Sequence, residues 1–431
     1  MPRLLLRASA LLSVLLLSAC GDSSEPLPPP QPASYHRDVA PLLREKCASC
    51  HVEGGIAPFT LGSYAEVFEM RTAIKAAVTM RMMPPWLASQ DCTEYKHDRS
   101  LSDEQIALIS RWVDEGAVEG NPADAPAAAN PSQGGLSRVD LKLTMPVDYS
   151  PQQRPDDYRC FILDWPETAV RYVTGFGAAP GRASIVHHVI AFVAKPEEVA
   201  GYQALDDREA GPGYTCFGGP GGNSGRVAWL GSWAPGGEGS DYPAGTGIRV
   251  DPGSKIILQV HYNLSSAVSA ADRSSVSLSV AQSVQKEAFM LPWANPAWLN
   301  GGMSIPAGQS DVRYRFGFDL IPYLSRITGG VFRDNEPITV HAAGLHMHTL
   351  GKWALAEIER KTGERDCMLH IPRWDFHWQN GYELAQSKVL RAGDRLAVEC
   401  HWDNSLPGAQ NVSWGEGTSD EMCLGIFYLT Q

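Results

Sequence analysis

From Leu136 to the C-terminus the chain never sustains a helical period, and that property limits it to a β architecture. Short β-rich runs such as Val186–Phe192, Lys255–His261 and Trp353–Arg360 are separated by Gly, Pro, Asn and Asp. About 290 residues of this kind suit two successive β-sandwiches, predicted over residues 138–286 and 287–431. A chain of 431 residues has room for two or three cores, and 44% apolar with 19% charged residues argues against wholesale disorder. The net charge of −12 argues against nucleic acid as a partner, because nothing would neutralise a phosphate backbone.

The N-terminus reads differently. Arg3 and Arg7 precede an apolar run, Leu11 to Leu17, which closes on Leu17-Ser18-Ala19-Cys20. Such a run is too short to span a bilayer and ends in small residues. It resembles the lipobox of bacterial lipoproteins, in which the cysteine, here Cys20, becomes the lipidated first residue. The competing reading is an ordinary secretory signal in which Cys20 is incidental. Residues 1–20 are therefore expected to be a signal peptide, and proline-rich 21–34 a tether. The resemblance implies a bacterial envelope protein, lipid-anchored on the periplasmic or outer face, with the outer membrane favoured. Of nine cysteines, Cys20 and the Cys47/Cys50 pair discussed next leave six in a compartment where disulfides persist.

Cys47-Ala48-Ser49-Cys50-His51 has the attachment spacing of a c-type haem. Two thiols reach the vinyl groups and the adjacent imidazole reaches iron. A zinc site would need two more ligands nearby, and only Cys92 and His97 offer themselves. Upstream, Val39, Leu42 and Leu43 share a helical face. Downstream, Ser102 and Gln105 form a capping box opening a helix with Ile106, Ile109 and Val113 on one face, stopped by Gly116. Residues 35–120 thus resemble a small all-α cytochrome c domain. Its sixth ligand is expected among Met80, Met82 and Met83, before Pro84-Pro85-Trp86, and similarity to cytochromes with a Met-Pro-Pro-Trp sequence selects Met83. The other two methionines are expected to fill the wall of the haem pocket. Residues 121–137, rich in Ala, Pro, Asn and Gly, read as a linker.

Histidines carry the chemistry of the β region. In a strand, His346 and His348 share a face and can converge on one ion. Adjacent His187 and His188 point oppositely in an ideal strand, so sharing a metal would need different ring nitrogens or a bulge. His261 sits in Leu258-Gln259-Val260-His261-Tyr262.

Taken in order, Val186-His187-His188, the His261 run, Leu345-His346-Met347-His348 through Leu350-Gly351-Lys352, and Ser419-Asp420-Glu421-Met422-Cys423 resemble the copper type II, ascorbate-dependent monooxygenases. That family includes peptidylglycine alpha-hydroxylating and dopamine beta-monooxygenases. The likeness runs from about Val139 to the C-terminus. It implies two jelly-roll-like sandwiches and two copper ions. One copper would be held by His187, His188 and His261, and the other, where oxygen reacts, by His346, His348 and Met422. It implies disulfides Cys160–Cys216 and Cys400–Cys423, leaving Cys92 and Cys367 unassigned. It implies O2 as co-substrate and an external electron donor, ascorbate or a redox protein. The fused haem would feed the first copper, which would pass the electron to the second.

The pattern also departs from the peptide-amidating enzyme. The arginine two residues before the HxH pair is Gly344 here, and the Asn and Tyr after the copper methionine are Leu424 and Ile426. An anionic C-terminal glycine would lose its partners, so a small, more apolar substrate is expected. The alternative function is a non-enzymatic copper and haem electron carrier, and all six ligand positions being retained favours the enzyme.

Overall fold

Strands make up 38% of the computed structural model and helices 16%, so the chain is mainly β. It describes residues 31–431 apart from 49, 54–56, 127–134, 217–218, 222–227, 235–236, 238 and 266–267. The signal segment, Cys20 and most of the tether lie outside the described residues. No described helix is long and apolar enough to cross a membrane.

Among the described residues, three α-helices form the N-terminal module, the first continuing a π-helical turn, Tyr35–Val39. Ala40–Lys46 buries Leu42 and Leu43, and Asp103–Asp114 starts at the expected Ser102/Gln105 capping box and buries Ile109 and Trp112. A third helix, Tyr64–Thr79, lies between the Cys47–His51 motif and the last helix. A second capping box, Ser63 with Glu66, opens it, and Val67, Ile74 and Val78 face the module's core. That Ser-x-x-Glu signal is present in the sequence. Alanine, threonine and charge dilute the apolar stripe behind it, which hides the helix from a reading by periodicity.

The first sandwich packs two antiparallel sheets. One runs Leu141–Thr144, Ser275–Ala281, Arg171–Ala179, Thr246–Val250, and the other Ala228–Trp233, Val186–Ala194, Lys255–Asn263, Asp156–Asp164. Alternate residues of both, among them Phe176, Leu278, Val189 and Val260, fill one core.

In the second sandwich Lys286–Trp293, Leu424–Thr430, Ile338–His346 and Gly381–Leu390 face Gln309–Phe318, Arg395–Asn404, Gly351–Glu359 and Arg365–Ile371. Lys286–Trp293 also pairs with strands of the first sandwich, so one hydrogen-bonded sheet runs through both. The period of two decides what each face meets. Ala343, Leu345, Phe427 and Leu429 enter the second core. Ala342 and Tyr428 pack instead on the first, where the Tyr428 and Thr246 hydroxyls lie 2.8 Å apart. His346 stands on this inter-sandwich face, at the open end of its strand.

One stretch before the last helix of the N-terminal module leaves that module's core. Trp86, Leu87, Ala88 and Tyr95 pack into the core of the second sandwich, and Tyr95 makes an antiparallel bridge to Leu384. The helical module is therefore docked on the second sandwich rather than joined to it through residues 121–137 alone.

Candidate metal centre

The first set of histidines is built on a strand ladder. His188 lies opposite His261, and the register shifts between Val186 and His188. His187 is the extra residue of this bulge, which rotates it off the strict alternation and lets neighbouring histidines converge. The ligating nitrogens of His187, His188 and His261 can all lie within 4.8 Å of one another. His188 Nδ1 and His261 Nδ1 are 3.3 Å apart, and both ring nitrogens of His187 are buried with no hydrogen-bond partner. A buried imidazole without partners is costly, and a metal ion would complete it. The three imidazoles fit copper.

Asp156, which sequence reasoning missed, orients this set. His261 donates through Nε2 to Asp156 Oδ1 at 2.9 Å, leaving Nδ1 for a metal. Tyr158 stacks on the same ring, centroids 4.0 Å apart. Asp156 also accepts from Thr418 N at 3.0 Å and Thr418 Oγ1 at 2.6 Å, tying the first sandwich to the segment leading to Met422. Burial alone would raise this carboxyl, but hydrogen bonds from His261 and Thr418 hold it well below the usual carboxylate range.

The second set sits where a strand ends. His346 is the last residue of Ile338–His346, and its Nδ1 donates to Gln379 Oε1 at 2.6 Å. His348 Nδ1 donates to the Asp420 carbonyl at 2.9 Å. Each ring keeps Nε2 for a metal. Glu421, fully buried, accepts from the amides of His348 (2.8 Å), Leu350 (2.6 Å) and Met422 (3.3 Å), and from Trp402 Nε1 (2.8 Å). Burial still pushes its carboxyl up to about 7. Glu421 thus brings buried Met422 beside the turn that carries His348.

All five histidines of the two sets line one narrow cavity, with Tyr158, Phe376, Glu416 and Thr418; Met422 is not among its walls. Phe376 spans the two sets, stacking on His187 at 4.5 Å and meeting His348 edge-on at 6.0 Å. Burial keeps the rings neutral. It lowers His187, next to His261 and His346, to about 3, and His188 well below its ordinary value. It lowers His346 to about 3, and His348 to about 4 against the hydrogen bond to Asp420. Neutral imidazole is the metal-binding form.

The positions that depart from the peptide-amidating pattern lie together. Gly344 is opposite Ile426 and His346 opposite Leu424 on neighbouring strands. As directly paired positions they share the sheet face that carries His346 and Tyr428.

Both disulfides implied by the resemblance are present, Cys160–Cys216 and Cys400–Cys423, and Cys92 pairs with Cys367. Cys47 and Cys50 form no disulfide. His51 donates through Nδ1 to the Phe59 carbonyl at 3.0 Å, which leaves Nε2 available. Met83 is half-buried, whereas Met80 and Met82 are 56% and 54% exposed. Two cysteines outside disulfides and an oriented imidazole fit a covalently held haem.

Comparison with known proteins agrees on the second sandwich. Residues 330–430 match the family described as copper type II ascorbate-dependent monooxygenase, C-terminal domain. Among curated relatives, DBH-like monooxygenase protein 1 of Gallus gallus is 26% identical over 200 residues, covering 45% of this chain and 31% of that protein. The Homo sapiens protein of the same name is 27% identical with the same coverage. DBH-like monooxygenase protein 2 of Mus musculus is 26% identical over 210 residues, 46% of this chain and 32% of its own. The chain therefore spans under a third of the length of these relatives. Together they support the copper type II monooxygenase family and, with it, copper. A solved structure of the infectious bursal disease virus VP2 subviral particle aligns at 10% identity over 69% of this chain and 75% of its own; its TM-score of 0.18 defines no shared fold.

Proposed function

We propose that this chain is an exported, lipid-anchored monooxygenase that uses two copper ions and O2 to hydroxylate a C–H bond of a small, apolar substrate. The observation that carries this reading is the single cavity that five histidines from two sandwiches face. His187, His188 and His261 would hold one copper, and His346, His348 and Met422 the other. Copper supplies one-electron chemistry toward dioxygen, and a thioether ligand favours its reduced state. The chain's own residues do the rest. Asp156 keeps the proton on His261 Nε2, while Gln379 and the Asp420 carbonyl keep protons on Nδ1 of His346 and His348. Gly344, Leu424 and Ile426, on the sheet face of His346, would offer apolar contact and bring no cation of their own to an anionic substrate.

We read Cys47, Cys50, His51 and Met83 as a c-type haem site on a cytochrome c module, passing on electrons from ascorbate or a redox protein. The sandwiches are read as the jelly-roll pair of the family, and Cys20 as the lipid anchor in the bacterial envelope. A reduced chain should show a low-spin c-type spectrum that survives denaturation, and Met83→Ala should turn it high-spin.

The deciding experiment counts bound copper and follows oxygen uptake with a panel of apolar substrates under reductant. Two coppers per chain, one in His348→Ala, and oxygen consumption matched by substrate loss are expected. Copper binding with no coupled oxygen consumption would leave an electron carrier.

A further inference from the structure

Phe376 is an aromatic residue that neither sandwich core uses. It is half-buried, yet it belongs to the apolar cluster of neither the first nor the second sandwich. Its ring lies in the metal cavity instead, as the one wholly apolar side chain among the described walls. The loop that carries it joins Arg365–Ile371 to Gly381–Leu390, and clamps on both sides hold it. On one side Trp374, packed in the second core, donates Nε1 to the His348 carbonyl at 3.0 Å and its amide to the Lys352 carbonyl at 2.9 Å. On the other, Gln379 accepts from His346 and donates Nε2 to the Phe376 carbonyl at 2.9 Å. Between them Asp375 closes a tight turn, accepting from the His377 amide at 2.9 Å and the Trp378 amide at 3.1 Å. The backbone is thus fixed beside the second set, while the ring stacks on His187 of the first at 4.5 Å and 21°. Its contact with His348 is edge-on at 6.0 Å. Rings stacked at such a distance are in contact, so no third group fits between them. His377, the next residue, is 80% exposed, which puts the turn at the surface with solvent on one side and the histidines on the other.

We propose that Phe376 is a specificity-determining plug: its ring stands between the two histidine sets at the mouth of their cavity and limits the size of ligand that reaches either one. The plug favours neither set, because it touches His187 of one and His348 of the other. A phenyl ring offers a metal no donor atom, so it screens the cavity without taking a coordination place. Cutting it back leaves room there for another apolar group. The plug stands on this geometry alone; that the ligands it screens include a substrate rests on the copper reading given above.

The test has two arms, and the first needs neither copper nor haem. Metal-free chain is treated with diethyl pyrocarbonate, which acylates accessible neutral imidazoles, and each histidine is read by peptide mass mapping. His187 should be protected in the wild type and labelled several-fold faster in Phe376→Ala, while exposed His377 reacts alike in both. Phe376→Tyr, which keeps the flat ring, should restore the protection. His401 is buried with both ring nitrogens hydrogen-bonded, so it reports unfolding. If it is labelled in Phe376→Ala, the milder Phe376→Leu decides in its place. Equal labelling of His187 with and without the ring would overturn the plug. In the second arm, metal analysis first establishes copper loading. Pyridine and 4-phenylpyridine are then added to the cupric chain, and the Cu(II) resonance signal is recorded. Pyridine should alter the signal of both chains, and 4-phenylpyridine that of Phe376→Ala alone. A wild-type signal that responds equally to the two ligands would overturn the size limit. A chain that takes up no copper would defeat the functional reading instead, and the first arm would still decide the plug.

Discussion

The two sandwiches present histidines by different means. In the first, His187, His188 and His261 stand on two paired strands, and the ladder with its bulge holds them. In the second, His346 ends a strand and His348 and Met422 lie beyond regular structure, held by a buried carboxylate and the Cys400–Cys423 disulfide. A site built on a ladder needs only one added orienting group, here Asp156. A site built on a strand end and a loop must import its rigidity from side chains.

The largest effect should be acid destabilisation of the metal-free chain, which tests what the two sets share. The histidine values in the fold lie at about 3 for His187 and His346 and about 4 for His348, below the ordinary 6.5. The unfolded chain therefore binds more protons in acid. The stability of the neutral rings is fully present above about pH 6.5 and is lost progressively as pH falls toward about 3. Each ring contributes about 1.4 kcal/mol for every tenfold by which folding weakens its proton affinity. Urea melts across this range measure it, and copper-loaded chain should resist further into acid. Equal stability at pH 7 and pH 4.5 without metal would contradict the burial of these rings.

Next comes Glu421→Ala, aimed at the second set alone. Four donors lose their acceptor, and each buried orphan costs about 1–3 kcal/mol. Copper should fall from two ions to the one on the first sandwich. Loss of both ions with the fold intact would show that the sets are not independently held.

Removing a disulfide should cost about 2–5 kcal/mol. Cys400→Ser/Cys423→Ser should weaken the second copper as well, because Cys423 follows Met422. Cys160→Ser/Cys216→Ser should lower the melting temperature with the second copper unaffected. Identical metal loss from both variants would erase the distinction between the two regions.

The smallest expected change is Asp156→Asn, about 10–100-fold weaker copper at the first set, read by chelator competition. The substitution keeps an acceptor oxygen for Thr418 or His261 but removes the charge. If the second set weakens equally, Asp156 acts mainly as the tie between sandwiches through Thr418.

Much of this was legible in the residue order. The absence of a helical period after Leu136 pointed to the β architecture, because burial on a pleated sheet demands a period of two. Ser102 and Gln105 marked a helix start, since that spacing satisfies two orphan backbone donors locally. His346 and His348 were readable as a pair from their spacing of two, although His348 lies past the strand end and is held by Glu421 and the Asp420 carbonyl instead. Other features depend on contacts between distant segments, which no local pattern encodes. Whether His187 and His188 could converge turned on a bulge, and a bulge is set by the register against Lys255–Asn263. Asp156 and Glu421 look like ordinary acidic residues until folding brings His261, Thr418, His348 and Trp402 to them. Cys92 and Cys367, 275 residues apart, could not be paired from spacing. Sequence determined which side chains could carry the chemistry, through local periodicity. Tertiary structure decided which of them meet, because long-range register and the docking of residues 86–95 fix distances that the chain's own order leaves free.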